Sequence, residues 1–91
     1  MTKKDIVSEI AIRTGLTQVD SRIIVDELLA AFSRALISGS NIEIRGFGRF
    51  KLKKRLAHLA RNPRSGEKVE IKAGIRPFFQ ASRELKTRVN G

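Results

Sequence analysis

The sequence lacks cysteine, tryptophan and tyrosine altogether, and it has one histidine and two prolines among its 91 residues. Without cysteine it can form neither a disulfide framework nor a thiolate metal site. No run approaches the roughly 20 apolar residues of a membrane-spanning helix. The polar segment Met1–Asp5 predicts the start of a helix rather than a signal peptide. The length predicts one domain, and we expect no membrane partner.

Groups suited to catalysis are also scarce. His58 is the only histidine, it lies in a basic segment, and no carboxylate is close in sequence to orient it. Gly46-Phe47-Gly48 lacks the third glycine and the following helix of a phosphate-binding loop. We therefore predict that the protein is not an enzyme, with no catalytic residue, no metal site, no cofactor and no small-molecule substrate.

Acidic residues are scarce in only one half of the chain. Residues 1–40 contain five basic and five acidic side chains, whereas residues 41–91 contain fourteen basic and four acidic ones, which is the whole net charge of +10. A surface that is merely soluble would spread its charge over both halves. The concentration of positive charge in one half instead predicts that this half holds a polyanion.

Two helices are predicted in the neutral half. Thr2 and Thr17 are each followed three residues later by an aspartate, which is the pattern of a capping box. Gly15 and Gly39 are expected to end the two helices. The second helix has an apolar surface wider than one stripe, so either the sheet or a second copy of the chain must cover it.

After Gly39 the apolar period changes to two, which predicts three antiparallel strands and then a short helix from about Ser82. The turn Arg61–Glu67 lies at the tip of a hairpin. Thirteen residues run from Arg49 to Arg61, or roughly 40 Å of strand. Two short helices cannot cover a hairpin of that length. We expect an arm that is mobile when free and ordered along a partner.

Two features of this hairpin suit nucleic acid. Lys51, Lys53 and Arg55 alternate along one strand face at roughly 7 Å, close to the spacing of successive phosphates. Pro63, rigid and without an N–H, is suited to act as an apolar wedge between base pairs. The other interpretation is that Asn62–Gly66 is only a favourable turn sequence.

The chain resembles the bacterial HU/IHF family of DNA-bending proteins. The resemblance rests on Gly46–Phe50 followed at a fixed distance by Arg61–Glu67, and it extends from Met1 to about Asn90. Ile42–Gly48 resembles the integration host factor branch more than the HU branch. The family resemblance implies an α+β fold, an intertwined dimer and a β-arm from each subunit around the DNA.

The resemblance also implies roles for individual residues. Pro63 is expected to intercalate, and the dimer core is expected to contain Phe32, Phe47, Phe50 and Phe79. The implied DNA contacts are Lys3, Arg45, Gly46, Arg49, Lys51, Lys53, Arg55, Arg61, Asn62, Pro63, Arg64, Lys68, Lys72, Arg76 and Lys86. For Arg45, minor-groove entry, a phosphate contact and a solvated strand end all stay open. The implied partners are double-stranded DNA and a second subunit, identical or paralogous, in the cytoplasmic nucleoid.

The single domain of residues 1–91 is expected to comprise a helical dimerisation part (1–40), the sheet and DNA-binding arm (41–80) and a C-terminal helix (81–91). The chain departs from the usual family pattern at Ala60, Ser65, Arg76, Phe78 and the segment Ala81–Arg83, which bear on arm conformation and sequence preference. An RNA-binding module and a basic scaffold that grips an acidic protein are the alternatives.

Overall fold

The computed structural model describes all 91 residues as three helices and five strands. The helices are α1 (Lys3–Thr14), α2 (Gln18–Ile37) and α3 (Arg83–Asn90). The strands are β1 (Ile42–Ile44), β2 (Gly48–Arg55), β3 (His58–Arg61), β4 (Lys68–Ile71) and β5 (Gly74–Ala81). None of the helices combines the length and the apolar character needed to cross a membrane.

Side chains at the helix ends explain where α1 and α2 begin and end. The Asp5 N–H donates to Thr2 Oγ1 at 3.3 Å while the Thr2 N–H donates to Asp5 Oδ2 at 2.8 Å, so the predicted capping box is present. Gly15 ends α1 with a φ of 76°. At the start of α2 only half of the predicted box forms, because Thr17 Oγ1 accepts from the Asp20 N–H at 3.0 Å without a reciprocal bond.

A three-stranded antiparallel sheet in the order β1-β2-β5 packs one face against α2. In its register Phe50 lies opposite both Ile42 and Phe79. The ring of Phe50 is 5.5 Å from that of Phe32 on α2 and 5.0 Å from that of Phe79, which is 5.3 Å from that of Phe47. Four phenylalanines thus form one connected cluster between the sheet and the second helix.

The distal hairpin is a separate two-stranded sheet, β3-β4, which corrects the prediction of uninterrupted arm strands. The strands break at residues 56–57 and 72–73. At the break Arg55 Nε donates to the Lys72 carbonyl at 3.2 Å, so a side chain takes an acceptor that a continuous ladder would use. The molecule measures 53 × 30 × 30 Å, as expected for a body with a projecting arm.

A single chain buries very little of itself. Only five of 91 residues are buried, among them Val7 and Ala11 of α1 and Ser21 and Val25 of α2. On the wide apolar side of α2, Leu28 is 51% exposed. The second helix is therefore left partly uncovered by its own chain, as its sequence indicated.

Candidate nucleic-acid interface

The outward face of the three-stranded sheet is cationic. Residues that lie opposite each other in β2 and β5 project from the same face of the sheet. The register therefore assigns their side chains to an inner and an outer face. The inner face carries Phe50, Leu52, Pro77 and Phe79. The outer face carries Arg49, Lys51, Lys53, Arg55, Gly74, Arg76, Phe78 and Gln80. The structure therefore brings together five of the predicted DNA-binding cations on the side away from α2.

These cations have few acidic neighbours. Lys53 lies directly opposite Arg76, and like charges in that position repel. The only carboxylate in the register of this face is Glu43, which is opposite Arg49 at the far end. Lys53 Nζ lies 5.8 Å from the centroid of the Phe78 ring, within the range of a cation–π interaction. An extended anion is the natural partner of such a face.

A groove of about 460 Å³ lies at the end of the sheet opposite to the arm. Its walls are the β1–β2 turn and the start of α3, and its basic lining residues are Arg45, Arg49, Arg83 and Lys86. Glu43 and Glu84 also line it. The sequence predicted three of these four cations. Arg83 was missed, and its signal was its position directly after the helix-capping Ser82.

Ser82 holds the two walls of this groove together. Its Oγ donates to the Gly46 carbonyl at 3.0 Å, and its N–H donates to the Phe47 carbonyl at 2.9 Å. The same Oγ accepts from the Leu85 N–H at 3.1 Å and so caps α3. Gly46 has a φ of 82°, a left-handed conformation that favours glycine, and its contribution to the groove is backbone.

The arm tip is a hydrogen-bonded turn that leaves Pro63 exposed. The Asn62 N–H donates to the Glu67 carbonyl at 2.7 Å, and the Gly66 N–H donates to the Asn62 carbonyl at 2.8 Å. Asn62 Oδ1 accepts from the Arg64 N–H at 2.9 Å. The amide oxygen of Asn62 is thus engaged in the turn, and its NH₂ group remains available to donate to a groove edge.

The arm strands carry the remaining predicted cations. Arg61 lies directly opposite Lys68, so both project on the same face just below the turn. Lys72 lies in the break between β4 and β5. Lys54 was not predicted; it lies opposite Ile75, on the other face of the sheet from Lys53.

Lys3 is placed differently from the other predicted contacts. It begins α1, and its Nζ lies 2.8 Å from Asp26 Oδ1 on α2. It lines a cleft between α1 and α2 together with Lys4 and Arg22. The structure does not group Lys3 with the cations of the sheet or the groove, and its contact with DNA stays a prediction.

Comparisons with known proteins agree with this geometry. Residues 1–90 match the family described as bacterial DNA-binding protein. The integration host factor beta subunits of Burkholderia vietnamiensis and Burkholderia cenocepacia are each 45% identical over 92 aligned residues, covering 100% of this chain and 86% of the relative. Both similarities extend over the helices, the sheet and the arm.

Solved structures show the same architecture. The HU–DNA cocrystal structure from Anabaena superimposes with a TM-score of 0.87 and 30% identity, over 98% of this chain and 97% of that one. An HU variant from Thermotoga maritima gives a TM-score of 0.70 and 29% identity, over 98% and 99%. The predicted α+β fold, with three helices and an antiparallel sheet extended by a hairpin, is confirmed.

Proposed function

The chain belongs to the family of bacterial DNA-binding proteins that includes HU and integration host factor, and from that premise we propose that it bends duplex DNA as a dimer. It is a DNA-binding architectural protein and not an enzyme. In the proposed complex each subunit extends its arm along the minor groove. Pro63 at the arm tip enters between base pairs, and the duplex kinks there.

The observation that supports this proposal is a row of basic side chains that leads from the body to an exposed proline. The cationic outer face of β2 and β5 leads into the arm, where Arg61 and Lys68 lie opposite each other just before the turn. Bending a duplex costs several kcal/mol, so many phosphate contacts must offset that cost. The low number of acids along this row makes those contacts available.

The proposed dimer follows from the uncovered apolar surface. Several large apolar side chains are exposed in the single chain: Leu28 and Leu29 of α2, Phe47 of the β1–β2 turn and Phe79 of β5. A second subunit would remove them from water, at about 25 cal/mol for each Å² of apolar surface. Two relatives are named as a beta subunit, which favours a paralogous partner; a second copy of this chain is the other form of the dimer.

We place the protein in the cytoplasmic nucleoid, as a low- to moderate-specificity architectural protein. Most of its proposed contacts are to phosphates, which fix position without reading sequence. Arg45 lies in the groove beside the body rather than on the arm, where it would meet DNA flanking the kink.

A substitution at the arm tip tests the wedge. Pro63→Ala should reduce the bend angle, measured by fluorescence energy transfer between the ends of a short duplex at saturating protein, and should leave dimer stability unchanged. Pro77→Ala is the matched control, because it changes the only other proline, which lies in β5 on the inner face of the sheet. An unchanged bend in Pro63→Ala would refute the wedge.

Salt tests the electrostatic part independently. For the 6–10 phosphate contacts of a typical DNA-binding protein, affinity falls by about 10³–10⁵ between 50 and 200 mM salt. We expect the affinity to change by that factor when a labelled duplex is titrated directly with the protein and binding is followed by fluorescence anisotropy. A change of less than tenfold would contradict the proposed phosphate contacts. Tighter binding to double-stranded RNA than to DNA would instead favour the RNA-binding alternative.

A further inference from the structure

Phe78 is the only phenylalanine of five that lies outside the aromatic cluster. The other four rings contact one another at 5.0 to 5.5 Å on the inner side of the sheet. Phe78 is next to Phe79 in the chain, so strand alternation turns it to the opposite, outer face. It is half-buried there. The core therefore does not account for this ring.

The surroundings of Phe78 are cationic. Lys51 lies directly opposite it in the sheet register, and Arg76 and Gln80 flank it on the same face of β5. Lys53 Nζ lies over its ring at 5.8 Å. No acidic residue of β2 or β5 shares this face. A ring surrounded by cations on a strand face is the arrangement by which many proteins contact nucleotides.

We propose that Phe78 is a DNA-contacting residue whose ring packs against the deoxyribose of a nucleotide held by Lys51 and Lys53. This inference rests on the proposed function and adds a contact to it. In a paired strand the bases are stacked inside, so the surface that runs past a protein consists of phosphates and sugars. Lys51 and Lys53 are roughly 7 Å apart, close to the phosphate spacing, which puts a sugar between them.

The cation–π contact fits this role. In the free protein the Phe78 ring stabilises the Lys53 ammonium against repulsion from Arg76 opposite it. In the complex a phosphate provides a stronger partner for the ammonium, and the ring face is left for the apolar C–H groups of the sugar. The contact is apolar, so added salt does not screen it as it screens the lysines.

The salt dependence gives the first test. Phe78→Ala should weaken duplex binding by about fivefold, and the slope of log affinity against log salt should stay unchanged. Lys53→Gln is the matched control on the same face, and it should reduce that slope by about 0.9. Unchanged affinity in Phe78→Ala, or a loss that disappears at high salt, would overturn the proposed contact.

A direct readout uses the absence of tryptophan and tyrosine from the chain. In Phe78→Trp the new indole is the only strong fluorophore, and its emission should shift to shorter wavelength when unlabelled duplex is added. Ile12→Trp is the control, on α1, where the native side chain is 81% exposed. Its emission should not change.

The two proposals fail in different ways in this experiment. Anisotropy of a labelled duplex, measured on the same samples, reports binding itself. If the duplex binds and the emission of Phe78→Trp stays the same, the Phe78 contact is wrong and the bending function stands. If the unsubstituted protein binds no duplex, both proposals fall.

Discussion

The helical half and the basic half of the chain use their charges in different ways. All three salt bridges of the structure lie within the helices: Lys3–Asp26, Glu9–Arg13 and Glu27–Arg34. None involves a residue of the basic half, 41–91, although that half holds fourteen basic side chains. The first half balances its charges internally, and the second half leaves its cations without acidic partners.

This difference teaches where each half obtains its stability. Exposed ion pairs contribute at most about 1 kcal/mol each, so the helices depend on apolar packing and, in the proposed dimer, on a second subunit. Cations without acidic partners repel one another, and that repulsion disfavours the fold of the free chain. Without DNA the arm therefore adds little to the free energy of unfolding. The stability of the whole chain comes mainly from the body.

The largest predicted effect compares one leucine in each region. Leu28→Asp places a charge on the uncovered face of α2, where we expect the dimer interface, and should lower the free energy of unfolding by about 4 kcal/mol or more. Leu56→Asp is the matched change in the arm, where the side chain is 82% exposed. Its effect on stability should be within about 0.5 kcal/mol.

Thermal unfolding followed by circular dichroism gives the melting temperature of each variant, and sedimentation equilibrium gives its oligomeric state. Leu28→Asp should sediment as a monomer and melt far lower, while Leu56→Asp should remain a dimer and bind DNA more weakly, because it adds a negative charge beside the phosphates. Similar melting temperatures for the two variants would break the distinction between body and arm.

The sequence was sufficient to predict those features that depend on local chemistry. The pair Thr2 and Asp5 predicted the first helix start, Ser82 predicted the last, and the alternation in Arg49–Arg55 separated the two faces of β2. The aromatic cluster and the long arm followed from family resemblance and arithmetic. The helix starts and the two faces of the strand need only neighbouring residues or a repeating pattern.

Features that depend on tertiary geometry were not predictable. At the break in the arm, Arg55 bonds to the carbonyl of Lys72, seventeen residues away. The groove depends on Ser82 reaching Gly46, thirty-six residues away. The missing half of the second capping box depends on the orientation of a single side chain. Sequence pattern does not encode any of these distances.

Two glycines give the next contrast. A Cβ at Gly48 would lie 2.5 Å from the Gln80 carbonyl oxygen and 2.6 Å from the Phe79 ring, so Gly48→Ala should cost about 2–3 kcal/mol. A Cβ at Gly66 in the arm tip would meet nothing within 4 Å. Gly66→Ala should cost only about 1 kcal/mol, for its left-handed φ of 72°.

The two glycine variants should also differ in which part of the molecule loses stability. Chemical denaturation should show the loss in Gly48→Ala as a lower midpoint for the whole protein. In Gly66→Ala the strain should appear as faster amide exchange at the arm tip with little change in the midpoint. A larger loss of global stability in Gly66→Ala than in Gly48→Ala would show that the arm is part of the cooperative unit.

A smaller effect tests how well the body satisfies its buried polar groups. Ser21 is 0% exposed, and its Oγ has no hydrogen-bond partner. Ser21→Ala should therefore stabilise the protein, by up to about 1 kcal/mol. Ser33→Ala is the control on the same helix, where the exposed hydroxyl donates to the Leu29 carbonyl at 3.0 Å. Destabilisation in Ser21→Ala would contradict the absence of a hydrogen-bond partner for this hydroxyl.

The smallest predicted effect is the pH dependence of the stability that the Asp5 carboxylate gives to the start of α1. The Thr2 N–H, followed by the Thr2 hydroxyl, lowers the pKa of the Asp5 carboxyl below its ordinary value of 3.8. The stabilisation is therefore fully present above the unfolded pKa, and it is lost as pH falls through the lower folded pKa. Asp5→Asn should melt slightly below the unsubstituted protein at pH 6, and the gap should close towards pH 3. Asp20→Asn is the matched control at the start of α2, because Asp20 makes no reciprocal bond to Thr17. Equal pH dependence in the two variants would mean that the complete capping box gives α1 no advantage over α2.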